Sequence, residues 1–233
     1  MTRKNQIKFS ILLAVYKNDN IKHFKASILS LQNQAVEIDD LVIVVDGPVD
    51  EQINNYLNQL SHLDYVKIKY LKKNQGLANA LNIGVDLCSN EIIFRQDSDD
   101  VSLPNRFYEQ LNCLAEDNDI ALLSSWTEAY DFNLENFLYI KKVPKENSEI
   151  IEYAKNRTPI NHPSTVFKKS CFINIEGYPT HKNFSEDWWL SLRFIKAGYK
   201  IHNLQKTLVH VRAPENWFER RRGISYARLE LTD

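Results

Sequence analysis

The chain has few cysteines, and their arrangement excludes a disulfide-rich secreted fold and a cysteine-ligated metal site. Cys88, Cys113 and Cys171 are the three cysteines among 233 residues, and no two of them have the two-residue spacing of metal-binding or redox pairs. Three thiols cannot all pair with one another. Because apolar residues surround each one, we predict three buried free thiols in a reducing compartment.

Linkers, repeats, an excess of charge and a long apolar run are also missing. The 6 Gly and 7 Pro are scattered, and the formal net charge is −1, so no broad basic surface indicates nucleic acid as a partner. The apolar run at residues 9–15 is too short to cross a membrane. We therefore predict a cytoplasmic protein, soluble or at most peripherally associated with the inner face of the cell membrane.

In the first half of the chain, short β-rich apolar segments alternate with segments of helical periodicity. The former are typical of buried parallel strands, and the latter place an apolar residue every three or four positions. This order predicts crossover helices covering a mostly parallel sheet. The predicted strands are residues 9–15, 41–45, 66–71 and 91–95, and the predicted helices are residues 19–34, 53–60, 75–88 and a segment from Pro104 to about residue 115.

The second half is more mixed, and no linker separates it from the first. We therefore predict one α/β domain over residues 1–233. The strands predicted in this half are residues 120–126, 137–141, 164–167, 199–204 and 207–212, and the helices are residues 147–155 and 185–197.

An acidic cluster, Asp97, Asp99 and Asp100, follows the fourth predicted strand. Carboxylates this close repel one another unless a cation neutralises them, and oxygen ligands suit Mg²⁺ or Mn²⁺. Strand alternation would place Asp97 and Asp99 on one side, at the carboxyl edge where open α/β sheets bind ligands. The alternative is a loop in which Asp100 or Ser102 caps the next helix.

Polar residues also follow the other predicted strands. Tyr16 and Asp46 end the first and second strands, and Asn74 lies in a Gly-containing turn after the third. Each is also an ordinary rim or turn residue. At the ligand edge, however, all three would suit a nucleotide. Tyr16 offers an aromatic ring, Asp46 a carboxylate that can accept the N3–H of uracil, and Asn74 a polar turn before a helix.

Two further groups carry charge in the second half. Glu186 and Asp187 follow Ser185 at the start of a predicted helix. A serine followed by acidic residues is common at capped helix starts. The same position would also keep a carboxylate ionised, as a general base requires. His210, Arg212 and the arginines at 220–222 suggest phosphate contacts. The alternative is a solvated basic tail or one that meets anionic lipid.

Taken in order, these segments resemble the family 2 inverting glycosyltransferases of the GT-A fold. That fold is a Rossmann-like, mostly parallel sheet flanked by helices, with a mixed acceptor-side half. It implies a nucleotide-sugar-binding half at about residues 1–115 and an acceptor half at about 116–233. The similar segments are AVYKN at 14–18 (P-V-Y-N in the family), VVDG at 44–47 (V-V-D-D-G-S), residues 74–84 (N-x-G…A-x-N-x-G), FRQDSDD at 94–100 (D-x-D-D) and ED at 186–187 (E-D).

The resemblance implies roles for individual residues. Tyr16 and Asp46 would hold the uracil of a UDP-sugar, Asp97 would lie near the ribose, and Asp99 with Asp97 would bind Mn²⁺ or Mg²⁺. Asp187 would deprotonate the acceptor hydroxyl for a single inverting displacement. Less specific expectations of ligand contact concern Asn74, Arg95, Glu186, His210 and Arg212.

The R-x-D-x-D-D pattern at residues 95–100 is also similar to bacterial enzymes that build O-antigen, capsule or exopolysaccharide. It implies a hexose or N-acetylhexosamine transferred to a polyprenyl-diphosphate-linked glycan. Two other functions stay open: a haloacid-dehalogenase-like phosphatase, whose nucleophile motif Asp97-x-Asp99 superficially fits, and a non-catalytic carbohydrate-binding module. The first normally has its motif after the first core strand, and the second leaves the acidic cluster unexplained.

Overall fold

The structure is a computed structural model that describes residues 7–180 and 185–213. Its strands are β1 (Phe9–Val15), β2 (Asp40–Val45), β3 (Val66–Tyr70), β4 (Ile92–Asp97), β5 (Val101–Ser102), β6 (Ile120–Tyr130), β7 (Phe137–Lys141), β8 (Val166–Lys168) and β9 (Lys200–Arg212). Its helices are α1 (Ile21–Gln32), α2 (Glu51–Leu60), α3 (Leu77–Leu87), α4 (Arg106–Glu116), α5 (Asn147–Ala154), α6 (Lys169–Asn174) and α7 (Glu186–Lys196). Within these residues the strands form one sheet in the order β3-β2-β1-β4-β8-β6-β9-β5, with β7 paired to β6.

The four strands of the first half are parallel, as predicted. β1 lies between β2 and β4, and β3 pairs with the other side of β2. The strand order therefore reverses between β1 and β4, and open α/β sheets bind ligands outside such a switch point. Predicted and observed ends differ by a few residues; α2, for example, begins at Glu51 because the Asp50 side chain caps it by accepting from the Ile53 N–H at 2.8 Å.

The second half is built around β6, which is antiparallel to β7 and β8 and parallel to β9. The prediction of two strands at residues 199–212 is wrong, because β9 is continuous along β6 from Lys200 to Arg212. Register shifts absorb the two exposed residues between Leu204 and Thr207, so the pairing resumes after them. The sequence did not predict β5 or α6, which have 2 and 6 residues.

Helices cover both faces of the sheet, and each face has its own apolar cluster. On one face α1, α2 and α4 pack against β1, with Phe24, Ile53 and Phe107 among the buried residues. On the other face α3, α5, α6 and α7 contribute the second cluster. α3 lies so close to the sheet that a Cβ at Gly84 would be 2.2 Å from Cδ1 of Leu12.

The prediction of three buried thiols is correct for only one of them. All three cysteines are free, but Cys88 is buried whereas Cys113 and Cys171 are partly exposed. They lie near the ends of helices α3, α4 and α6, where packing covers them unequally. Among residues 7–180 and 185–213, no helix is both long enough and apolar enough to span a membrane.

Candidate active site

A cleft of about 380 Å³ opens at the carboxyl ends of β1, β2 and β4. It brings together five residues that the sequence predicted as ligand contacts: Tyr16, Asp46, Asn74, Asp97 and Asp99. A groove of about 430 Å³ between α1 and α2 contains lysine, amide and tyrosine side chains but no carboxylate. The cleft is therefore the candidate site, because it alone of these two combines the strand ends with an acidic cluster.

Asp46 fixes the turn that precedes α3. Its Oδ1 accepts the N–H of Gln75 at 2.7 Å, and its Oδ2 accepts the N–H of Gly76 at 2.9 Å. The Asn74 amide donates to the Asp46 carbonyl oxygen at 3.3 Å. Both carboxylate oxygens hold backbone amides and keep further lone pairs for a ligand. Asp46 thus shapes one wall of the cleft, a role that its sequence motif did not reveal.

The same wall depends on a close approach at Gly47. This residue has a φ of +87°, and a Cβ there would lie 2.6 Å from the backbone nitrogen of Asn74. A side chain would therefore be strained by its own backbone and would push the turn away from β2. Glycine at this position allows the two segments of the wall to meet.

Arg95 lies beneath the acidic cluster and binds Asp97. Its Nη1 and Nη2 donate to Oδ2 and Oδ1 of Asp97, a two-point contact between a planar guanidinium and a carboxylate. The Arg95 side chain is 2% exposed, whereas that of Asp97 is 30% exposed. Arg95 was predicted to contact the donor, but a side chain buried this deeply acts on a ligand through Asp97.

The chain bends directly after Asp97, so strand alternation is not the reason that Asp97 and Asp99 lie on one side. β4 ends at Asp97 and residues 98–99 form a bend, which means that strand alternation does not place Asp99. Both carboxylates nevertheless line the cleft. The Ser27 hydroxyl donates to the Asp97 carbonyl at 2.8 Å, and Gln96 Nε2 donates to the Asp100 carbonyl at 2.8 Å, so the bend is held from below.

A second buried arginine, Arg106, supports this bend without a carboxylate partner in hydrogen-bonding contact. It donates to the Arg95 carbonyl at 2.7 Å, to Gln96 Oε1 at 2.7 Å and to the Ser102 hydroxyl at 2.9 Å. Burial, together with the neighbouring Arg95 charge, lowers the pKa of Arg106 to about 9. Arg106 was not predicted from the sequence, because nothing in its helix distinguishes it from a surface arginine.

Asp100 joins the acidic cluster to the last described strand. Its Oδ1 accepts the backbone N–H of Arg212 at 3.1 Å, so it is a structural anchor and not the cap of α4. Arg212 carries its charge close to Asp99 and Asp100. His210 faces elsewhere: its Nε2 lies 3.3 Å from Oε2 of Glu128. The arginines at 220–222 lie outside the described residues.

Asp19 is a member of the site that the sequence analysis did not identify. Its Oδ2 accepts the Tyr16 N–H at 2.9 Å, which turns the chain after β1 and places its carboxylate in the cleft. The predicted helix at residues 19–34 includes Asp19 in its first turn, but α1 begins at Ile21 after an Asn20 cap. An Asp three residues after the strand-end Tyr16 is the signal that could have found it.

The charges of the cleft suit a divalent cation. Burial, together with the negative charges of Asp99 and Asp97, raises the pKa of Asp19 to about 7. Burial and the charge of Asp97 raise the pKa of Asp99 to about 6. No three potential ligands within the described parts of the chain are arranged to hold a metal by themselves. Carboxylate oxygens such as those of Asp97 and Asp99 are ligands that suit Mg²⁺ or Mn²⁺, which bind through one or two carboxylates together with substrate phosphates.

Asp187 and Glu186 form the first turn of α7. Ser185 occupies the N-cap position with a φ of +60°, but its side chain makes no capping hydrogen bond, so the alternative of simple serine capping is not supported. Asp187 Oδ1 accepts the N–H of Trp188 at 2.8 Å. Burial raises the pKa of Asp187, whereas the sequence argument expected the helix end to keep it low. A raised pKa suits proton acceptance, because it strengthens the carboxylate as a base.

The first turn of α7 and the cleft are electrostatically linked. Burial raises the pKa of Glu186; among the smaller effects, the charge of Arg95 lowers it and that of Asp97 raises it. The charge of Arg95 also lowers the pKa of Asp187, in opposition to burial. The charge of Arg95 therefore acts on the predicted base as well as on the predicted metal ligand Asp99.

Known proteins resemble this chain in sequence and in fold. The sequence profile of Glycosyl transferase family 2 matches residues 10–225. The chain is 36% identical over 224 residues to the UDP-Gal:alpha-D-GlcNAc-diphosphoundecaprenol beta-1,3-galactosyltransferase of Escherichia coli, which covers 96% of this chain and 81% of that protein. It is 31% identical over 223 residues to the amylovoran biosynthesis glycosyltransferase AmsE of Erwinia amylovora, covering 96% and 83% of the two chains.

Solved structures confirm the predicted GT-A fold. S. aureus TarS 1-349 in complex with UDP superposes with a TM-score of 0.67 at 16% identity, over 97% of this chain and 65% of that chain. The complex of the same protein with UDP-GlcNAc gives a TM-score of 0.68 at 15% identity, over 88% and 58%. The chain thus spans 65% or less of the length of these two structures.

Proposed function

The chain belongs to glycosyl transferase family 2, and from this membership we propose that it transfers a hexose or N-acetylhexosamine from a UDP-sugar to a hydroxyl of a polyprenyl-diphosphate-linked glycan. The observation that carries the proposal is the convergence of Tyr16, Asp46, Asp97 and Asp99 on one cleft at the carboxyl edge of the sheet. The reaction would contribute to bacterial surface polysaccharide synthesis, as in the relatives named for O-antigen or amylovoran.

The cleft supports a UDP-sugar as the donor. Its volume of about 380 Å³ falls in the range of sites that bury small ligands. Tyr16, 40% exposed at the mouth, offers a ring for the uracil, and the Asp46 carboxylate retains lone pairs for its N3–H. Support also comes from the E. coli relative, whose name specifies UDP-Gal, and from the complexes of TarS with UDP and UDP-GlcNAc.

We assign the divalent cation, Mn²⁺ or Mg²⁺, to Asp99 and Asp97. Arg95 holds the Asp97 carboxylate in one orientation, so one ligand of the cation is oriented before the donor arrives. When bound, the cation would neutralise charge that develops on the leaving diphosphate. Arg212, with its charge near Asp99, lies where it would contribute positive charge beside the same diphosphate.

Asp187 is the proposed general base. Its carboxylate is buried at the start of α7 and has a raised pKa, so it can accept a proton from the acceptor hydroxyl. The deprotonated oxygen would then attack the anomeric carbon from the side opposite the diphosphate. One in-line displacement of this kind breaks the bond to the diphosphate and inverts the configuration.

The same relatives support the acceptor and the cellular location that we propose. The E. coli relative is named for an acceptor sugar on diphosphoundecaprenol. A lipid-linked acceptor would bring the protein to the inner face of the cell membrane as a peripheral protein. The phosphatase alternative finds no support, because three βα units precede the strand that carries Asp97.

Calorimetric titration of UDP into the chain, with and without Mn²⁺, tests the donor site. We expect binding that requires the cation, and hydrolysis of a panel of UDP-sugars would then identify the sugar. Binding of another nucleotide in place of UDP would agree with the assigned fold but would mean that the donor is a different nucleotide-sugar. Absence of nucleotide binding with every cation would contradict the proposal.

A further inference from the structure

Three side chains form a line from the core to the first turn of α7. The Nε2 atom of His162 lies 2.8 Å from the Tyr178 hydroxyl, and its Nδ1 lies 4.0 Å from Oε1 of Glu186. His162 and Tyr178 are 7% and 1% exposed, whereas the Glu186 side chain is 25% exposed. The line therefore begins inside the protein and ends at a carboxylate that solvent can reach, next to Asp187.

Hydrogen bonds from elements other than α7 also hold the backbone of the two inner members. The Thr165 hydroxyl donates to the His162 carbonyl at 2.9 Å, in the 3₁₀ turn before β8. The Tyr178 N–H donates to Asn82 Oδ1 at 2.9 Å, and Asn82 Nδ2 donates to the Tyr178 carbonyl at 2.9 Å. The His162 backbone is thus tied to the turn before β8, and the segment that carries the Tyr178 hydroxyl is tied to α3.

The hydrogen-bond chemistry of the line selects one tautomer of His162. Burial lowers the pKa of His162 well below its usual value and raises that of Tyr178, so a neutral imidazole faces a phenol that keeps its proton. A neutral imidazole has one N–H, and an ionised carboxylate only accepts. The N–H therefore belongs on Nδ1, facing Glu186, while Nε2 accepts from the Tyr178 hydroxyl.

The separation of 4.0 Å between His162 and Glu186 exceeds a hydrogen bond. Glu186 is the first residue of α7 and its side chain is partly exposed, so rotation of that side chain can shorten the distance. Catalytic hydrogen bonds are often long in the free enzyme and shorten when substrate binds. One oxygen would then be held by the imidazole, and the other would remain for a ligand.

We propose that Tyr178 and His162 are positioning residues that orient the Glu186 carboxylate to accept a hydrogen bond from a sugar hydroxyl beside Asp187. This inference rests on the proposed function, because the hydroxyl belongs to the sugar of the donor or to the acceptor of that reaction. It gives a buried histidine, which a glycosyl transfer does not otherwise need, a defined part in substrate recognition.

Double-mutant kinetics tests the proposal. The variants Tyr178→Phe, His162→Gln and Glu186→Gln are each expected to lower kcat/KM for transfer by about tenfold, as loss of a hydrogen bond to a charged group does. Adding His162→Gln to Glu186→Gln should cost less than about twofold, because the histidine acts through the glutamate. Additive losses, or a Tyr178→Phe variant as active as the wild type, would overturn the proposal.

The source of the hydroxyl is decided by comparing two reactions of the same variants. A loss that also appears in hydrolysis of the UDP-sugar without acceptor assigns the hydroxyl to the donor sugar. A loss confined to transfer assigns it to the acceptor. UDP lacks the transferred sugar, so its affinity should stay unchanged in every variant and reports that the donor site is folded.

A control variant and a spectroscopic readout separate the inference from the proposed function. Tyr199→Phe removes a phenol hydroxyl that lies 2.9 Å from Asn174 Nδ2, and it should keep full activity. If the wild type neither binds UDP nor transfers sugar, the proposed function fails. Imidazole ¹⁵N NMR then tests the line itself: a neutral Nδ1–H tautomer for His162 whose Nε2 signal moves in Tyr178→Phe supports it, and an Nε2–H tautomer overturns it.

Discussion

The Arg95 guanidinium and the Asp97 carboxylate meet through two parallel contacts, with the arginine buried and the aspartate at the cleft. The pair places a fixed negative charge at the carboxyl end of β4. Because the arginine side chain is buried, Asp97 is the group through which the pair presents a hydrogen-bonding surface to a ligand.

Replacing Arg95 by Lys tests this relationship. A lysine keeps the charge but has one ammonium group, which cannot bind both carboxylate oxygens in the same plane. We expect kcat/KM for transfer to fall by about tenfold to a hundredfold, as for a loosened metal ligand. Arg193→Lys is the matched control, since Arg193 donates to carbonyls of residues 175–177 and not to a carboxylate. Equal activity of both variants would show that two-point contact is unnecessary.

The Asp187→Asn variant should abolish transfer and leave UDP binding nearly intact. Asparagine keeps the shape but cannot take a proton, and loss of a general base costs about 10²–10⁴-fold in rate. The rate of sugar transfer and the affinity for UDP are measured on the same preparation. Asp86→Asn, at an exposed position on α3, is the control. Full activity of Asp187→Asn would remove this residue from the mechanism.

The Asp99→Ala variant should lose the dependence of UDP binding on Mn²⁺. Removing this carboxylate leaves Asp97 as the one remaining proposed ligand, so the cation would no longer link the protein to the diphosphate. Calorimetric titration of UDP with and without Mn²⁺ measures the difference for variant and wild type. An unchanged response of the variant to the cation would contradict the role of Asp99.

Asp19 should make the stability of the metal-free protein depend on pH. Its pKa rises from an ordinary value of 3.8 to about 7 on folding, so the folded state binds the proton more tightly than the unfolded state. The resulting stabilisation is fully present below about pH 4 and is lost as the pH rises through 7. Thermal unfolding across this range should show a steeper fall in Tm for the wild type than for Asp19→Asn. Parallel profiles would contradict the shift.

The Gly47→Ala variant should weaken UDP binding more than a general loss of stability explains. A Cβ at Gly47 would lie 2.6 Å from the Asn74 nitrogen, and a positive φ costs roughly 1–2 kcal/mol for a non-glycine residue. Gly198→Ala is matched to it, because Gly198 has a φ of +75° but no atom within 4 Å of the added carbon. Similar Tm values but weaker UDP binding only at position 47 would identify the close approach as the cause. Equal UDP affinity of both variants would exclude it.

The parallel half of the fold was predictable because its signals are local and redundant. Apolar strands such as residues 41–45 and periodic helices such as residues 75–88 each repeat one pattern over several residues, and their order implies the parallel sheet. The long β9 was not predictable in this way, since two exposed polar residues interrupt its pattern. Only its pairing with β6, which lies 80 residues away in the sequence, keeps it as one strand.

The candidate site was predictable to the extent that its chemistry lies in short motifs. Asp97 and Asp99 belong to an acidic cluster that is visible in the sequence, and Tyr16 and Asp46 lie at the ends of predicted strands. Asp19 was not predicted as a site residue, because a turn and not a sequence motif directs its side chain into the cleft. Arg106 was not predicted either, because it supports the bend by hydrogen bonds to buried residues that only the fold brings together.

The hydrogen bond between Asp100 and the backbone of Arg212 joins parts of the chain that are far apart in sequence. A chimera that takes residues 1–115 from this protein and the remainder from a relative would break this contact unless the incoming strand presents an N–H at the same place. The two halves are therefore not exchangeable modules for altering acceptor choice. Exchange of these halves has to preserve the junction between Asp100 and the end of β9.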